Sequence, residues 1–150
     1  MKILAAIDFS PLADKVIAET GKLAGSLGAE LFLLHVVPPS SPVIEPAEDE
    51  LVLLPAEPSR TTGAESGSES EKLKAIAERF LNSGIATTII IAHKEEVEAI
   101  ISQGEKIGAD MIILGSHGHG ALFHLLIGSV SEGVIRRATC PVVIIPASMR

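Results

Sequence analysis

The residues best equipped for chemistry lie in one stretch, GSHGHGALFHLLIGS, Gly115 to Ser129. It holds Gly115, Gly118, Gly120 and Gly128 and the histidines His117, His119 and His124, but no lysine or arginine. Glycine reaches φ > 0 and carries no Cβ, so successive backbone N–H groups can converge on an anion. Gly128-Ser129 then opens a helical pattern, whose free N–H groups and dipole also favour negative charge. The stretch therefore suits a phosphate held by main-chain amides in place of a cation. The competing interpretation needs no ligand: glycine after a strand is common in turns, and Ser129-x-x-Glu132 has the form of a capping box. The Walker pattern G-x-x-x-x-G-K-[ST] is absent, and no G-x-G-x-x-G follows the first apolar run, which ends AAIDFSP.

The three histidines raise the question of a metal. H-x-H on a glycine loop supplies two ligands, but no cysteine or nearby acidic residue completes the three or four that a transition metal wants. His117 beside a phosphate is the better role. Asp8, just past the first apolar run, is an acceptor-only group suited to sugar hydroxyls, or a cap of the first helix shared with Ser10. Cys140 is the only cysteine and cannot form an internal disulfide, which suits a reducing cytoplasm. No thiol-enzyme pattern surrounds it, so a small core residue is expected.

Positioning these groups requires a scaffold, and the pattern supplies one. Five β-branched runs, at 2–7, 31–37, 86–92, 111–115 and 142–146, read as continuous apolar strands of a parallel sheet covered on both faces. Helical stripes alternate with them. The first carries Leu12, Val16, Ile17, Thr20, Leu23, Ala24 and Leu27, with Ser10 as N-cap, Pro11 at the first position and Gly28 at the exit. The second carries Leu73, Ile76, Ala77, Phe80 and Leu81 behind a capping box Ser68-x-x-Glu71. The third carries Val97, Ile100, Ile101 and Ile107, with Glu95 and Glu96 near its positive end. A last helix is expected from about Ser129 to Ala138. The β-α-β alternation predicts one α/β domain over 1–150, an open five-stranded parallel sheet with helices on both faces. Residues 38–70, rich in Pro, Ser, Glu and Gly, are expected to form a long, exposed, mobile loop, with LVLLP (51–55) placed as part of that insertion.

Composition narrows the function. A net charge of -7 argues against nucleic acid, where phosphate neutralisation supplies most of the affinity. With four Phe and no Tyr or Trp, stacking platforms and aromatic cages are excluded. No apolar run reaches the roughly 18 residues of a membrane span, and the five apolar residues before Asp8 are too few for a signal-peptide core. A soluble cytoplasmic protein is expected.

Gly115-x-x-Gly118, nine residues, then Gly128-Ser129 resembles the G-2x-G-9x-G-[ST] motif of the ATP-binding universal stress proteins. ILAAIDFS, LLHVV, GADMIILGSHGHG and GSVSEGVIRRATCPVVIIP are similar to that family's first, second, fourth and closing segments, so the likeness spans the chain outside 38–70. The resemblance implies strand order 3-2-1-4-5 and an ATP across the strand ends. Ala6 would line the adenine pocket, Asp8 would meet the ribose and adenine, and the backbone of Val36 would recognise the adenine edge. Leu114 and Gly115 would line the adenosine, while Gly118, Gly128, Ser129, Val130 and Ser131 would surround the phosphates. Mg²⁺ or Mn²⁺ would be held mainly by the nucleotide, since such an ion needs few protein ligands. Two departures stand out: Gly133 where relatives often carry Arg, and AHKEE where many have a Gly-x-Pro turn.

No arginine accompanies the loop donors, and His117, which could serve as a base, is better suited as a phosphate ligand, so ATP binding and signalling is favoured over catalysis. Slow ATP hydrolysis or phosphoryl transfer on the same loop is the alternative, and a dimeric interaction module without nucleotide is a third. The resemblance also implies a homodimer through Val142–Ile145, an edge strand that would otherwise leave backbone groups unpaired.

Overall fold

The computed structural model describes residues 1–39, 50–53, 67–116 and 127–147. In chain order the elements are β1 Lys2–Ala6, α1 Ala13–Leu27, β2 Glu30–Val36, β3 Glu50–Leu53, α2 Gly67–Asn82, β4 Thr87–Ala92, α3 Glu96–Ile107, β5 Met111–Gly115, α4 Ser129–Arg137 and β6 Val142–Ile145. The sheet order is β3-β4-β2-β1-β5-β6. Every neighbouring pair is parallel except β3 with β4. The five parallel strands alone run 3-2-1-4-5, as expected.

Alternation along the strands divides the core in two. Ile3, Ala5 and Ile7 of the β1 segment and Leu31 and Leu33 of β2 pack with Val16 and Ile17 of α1 and Leu73 and Phe80 of α2. Leu4, Phe32, Leu34, Ile90 and Ile112 pack on the other face with Ile100 and Ile101 of α3 and Val134 of α4. Both faces are thus covered, which is why the strand sequences are continuously apolar. Among the described residues, no helix is long and apolar enough to cross a membrane.

Three local expectations need correction. Glu50–Leu53, placed in a loop, form an antiparallel edge strand with Glu50 opposite Ile91 and Leu53 opposite Thr88. Its partner is the open side of β4, far along the chain, so nothing in the flanking sequence announces it. Residues 40–49 and 54–66 of the expected loop lie outside the described residues. Ser10 is not the N-cap of α1: its carbonyl accepts from Ala13 N at 2.9 Å, closing a turn, and the cap is Leu12, with no side-chain bond. Ser68 lies inside α2, which already includes Gly67, so it cannot open the helix. Other ends follow the sequence. Glu95 caps α3, its carboxylate accepting from Val97 N at 3.2 Å and Glu98 N at 2.9 Å. Gly28 ends α1 at φ 58°, a left-handed conformation that favours glycine.

The chain leaves β1 and β5 toward opposite faces, α1 on one and α4 on the other. These strands are neighbours, so their carboxyl ends form the switch point at which ligands of open α/β sheets bind.

Candidate functional site

Parallel pairing brings the strand ends level. Ala6 lies beside Leu34, and Ala5 beside Ile113, so Ala6, Leu114 and Gly115 end at one rim with Val36 two residues further along β2. Ala6, Val36 and Gly115 are half-buried, whereas Leu114 is buried. Past β1, Asp8 Oδ1 accepts from Ser10 N at 3.0 Å. Asp8 therefore organises the turn before α1 rather than the helix itself, and its half-buried carboxylate stays at the rim. Phe9, between them, has φ 55°, an uncommon conformation for a bulky residue that swings the chain off the strand.

The start of α4 is tied to the end of β5. Gly128 N donates to Ser116 O at 2.6 Å, and Ser131 Oγ donates to Gly115 O at 2.8 Å. Ser116 Oγ in turn accepts from Ala147 N at 3.1 Å, beyond β6. The N-cap of α4 is Gly128, with φ −74° and ψ 164° and no side-chain hydrogen bond to the helix. The first intrahelical bond runs from Glu132 N to Gly128 O at 2.9 Å. The N–H groups of Ser129, Val130 and Ser131 precede that bond and have no acceptor within the helix. A serine, threonine or aspartate as cap would satisfy such groups itself; a glycine leaves them to an outside acceptor.

This geometry tests Ser129-x-x-Glu132 as a capping box. Ser129 is the first helical residue, not the cap, and the Glu132 carboxylate accepts from Arg136 at 2.7 and 3.1 Å. The capping box does not form. Arg136 is thereby engaged on the exposed face of α4 by an i,i+4 pair. The donors at the site are main-chain amides; the Ser131 hydroxyl is spent on Gly115 and buried, whereas Ser129 is exposed.

Gly115 and Gly133 are glycines because of packing. A Cβ on Gly115 would stand 2.9 Å from Leu12 Cδ2 and 3.3 Å from Val16 Cγ2, so its absence lets α1 close on β5. A Cβ on Gly133 would meet Val97 Cγ2 at 2.8 Å. The departure at Gly133 therefore has a steric reason: α4 rides close on α3 there, with no room for a longer side chain. His117 and Gly118, with His119 and His124, lie outside the described residues.

Sequence reasoning passed over His35. It is buried on β2 next to Val36, with Nδ1 2.8 Å from Ile7 O and Nε2 3.0 Å from Glu69 Oε2 in the first turn of α2. The Phe9 ring lies 4.9 Å from the imidazole, and Lys72 Nζ sits 5.5 Å from the Phe9 ring. The available signal was a titratable residue inside the apolar run LFLLHVV at a position that must face a helix layer. Cys140 lies at the other end of the sheet, in a small hollow with Ala109, Ile112 and Thr139. Burial first, and then the charge of Asp110, push its thiol up, away from the thiolate a nucleophile needs.

Comparison with known proteins agrees with this architecture. Residues 1–146 match the model of the universal stress protein family. The chain is 31% identical over 147 residues to universal stress protein A homolog 1 of Coxiella burnetii, covering 93% of this chain and 92% of that one. It is 30% identical over 145 residues to universal stress protein YxiE of Bacillus subtilis, covering 96% and 97%. Among solved structures, that of MJ0577, a universal stress protein of Methanocaldococcus jannaschii, superposes with a TM-score of 0.72 at 25% identity, covering 99% of this chain and 97% of that one. A universal stress protein in complex with cAMP superposes with a TM-score of 0.68 at 17% identity, covering 99% and 98%, a likeness of fold alone. With the strand order of the sheet and the family match in agreement, the chain belongs to the universal stress protein family.

Proposed function

We propose that this chain is an adenine-nucleotide-binding protein, with ATP as its ligand, that acts in signalling as a homodimer. One observation carries the proposal: α4 begins on a glycine cap with three N–H groups that no described residue caps, while the Glu132 carboxylate that could box them is drawn off by Arg136. Such an end attracts an anion through both its donors and its dipole. A nucleotide would lie across the strand ends. Ala6, Val36, Leu114 and Gly115 would receive the adenosine, and Asp8 the ribose hydroxyls. His117, Gly118, Gly128 and Ser129 to Ser131 would surround the phosphates, with Mg²⁺ or Mn²⁺ carried by the nucleotide. That family members bind cAMP and, in Archaeoglobus fulgidus, dAMP supports an adenine base.

Replacing both Gly118 and Gly128 by valine is expected to abolish the calorimetric heat of ATP binding; an undiminished heat would overturn the proposal. For the dimer, the support is β6, which ends the sheet with Val142, Val143 and Ile144 only half-buried. An exposed apolar edge of this kind is a pairing surface. Light scattering at micromolar concentration should return twice the chain mass of 15.7 kDa, and a monomer mass would refute the dimer.

A further inference from the structure

The β1–β2 ladder ends earlier than its strands require. Ile7 N donates to Leu34 O at 2.8 Å, and in a parallel ladder the next rung would run from Val36 N to Ile7 O. That carbonyl is instead held by His35 Nδ1 at 2.8 Å. Among the described residues no rung joins Val36 to the β1 segment, while Val37 N still pairs with Ala92 O at 2.8 Å on the other side of the strand. The left-handed Phe9 then carries the chain away, its ring against the imidazole.

A carbonyl only accepts, so His35 Nδ1 carries the hydrogen of that bond, and Nε2 faces the Glu69 carboxylate; the ring bridges the end of the β1 segment and α2. Its other charged surroundings are Lys72, on the Phe9 ring, and Asp8, one residue beyond Ile7. Glu69 belongs to the first turn of α2, where the described chain resumes after residues 54–66.

We propose that His35 is a positioning residue of the nucleotide site: by taking Ile7 O it stops the ladder and leaves the main chain of Val36 open to a base edge, and through Glu69 it ties that opening to α2. The assignment rests on the nucleotide-binding proposal for the part concerning the base, but the ladder break can be tested without nucleotide. In the full-length His35→Leu variant, Ile7 O is released to Val36 N. Amide exchange of Val36, measured without ligand, should become slower relative to the unchanged core amides. A purely structural role predicts the opposite, since losing a buried contact loosens its surroundings. ATP affinity should fall about tenfold, or about 1.4 kcal/mol. In Glu69→Ala the partner of Nε2 is lost, and ATP affinity should fall severalfold. Glu69→Gln, whose side-chain amide can still hydrogen-bond Nε2, should restore most of that affinity.

Faster or unchanged exchange at Val36 in folded His35→Leu overturns the ladder break. Should that variant not fold, the Glu69 pair decides: full ATP affinity in folded Glu69→Ala refutes the tie. A wild-type protein that gives no ATP heat overturns the nucleotide proposal, and with it the role toward a base, while the exchange comparison still judges the ladder break.

Discussion

Gly133→Ala sets two effects of similar size against each other, and the structure says which wins. Gly133 lies inside α4, where alanine is worth about 1 kcal/mol over glycine in an exposed helix. Here the new Cβ would stand 2.8 Å from Val97 Cγ2 and 3.2 Å from Cγ1. Both methyls face it, so rotating the stiff valine about χ1 only exchanges one clash for the other. Forcing a methyl into such a contact costs about 1–3 kcal/mol. The net expectation is a loss of about 1 kcal/mol, or roughly 2–4 °C in Tm for a domain of this size. In a Val97→Ala background the obstacle is gone, and the same Gly133→Ala change should stabilise by about 0.5–1 kcal/mol. Urea unfolding of the four proteins of this double-mutant cycle measures the coupling directly, expected at about 1–3 kcal/mol. If Gly133→Ala stabilises the wild type as much as it stabilises Val97→Ala, α3 and α4 are not in the contact described. The placement of the α4 amides by that contact would fall with it.

Three further outcomes follow from the same geometry. Ser131→Ala removes the hydroxyl that donates to Gly115 O at 2.8 Å and should cost about 1 kcal/mol in urea unfolding, because a half-buried carbonyl loses its partner. Glu132→Gln breaks only an exposed pair with Arg136 and should change stability by less than about 1 kcal/mol. A larger loss would mean that the carboxylate caps α4 after all. Because burial and Asp110 raise the Cys140 thiol, the thiolate is scarcer at neutral pH than in an unstructured peptide and gains population only as pH rises. Alkylation by iodoacetamide should be slower than in the unfolded chain at neutral pH and should accelerate in alkaline buffer. Equal rates for folded and unfolded chains at neutral pH would contradict that environment.

By itself, the sequence determined the layers. Continuous apolar runs such as MIILG belong to strands buried on two faces, and stripes such as Val16, Ile17, Thr20 and Ala24 to helices that cover them, because period and burial are local properties of a chain. Gly115 and Gly128, singled out by their spacing, lie at the carboxyl end of β5 and at the cap of α4. Only tertiary structure decided what each donor is free to do. Gly128 N is spent on Ser116, Ser131 Oγ on Gly115 and Glu132 on Arg136, which leaves the amides of Ser129 to Ser131 as the opening of α4. Glu50–Leu53 became a strand because β4 offered an edge, and His35 became a bridge because Ile7 and Glu69 meet it from separate elements. Hydrogen-bond partners distant in sequence leave no trace in local composition, so competition for a carbonyl or an amide is settled only when the elements pack.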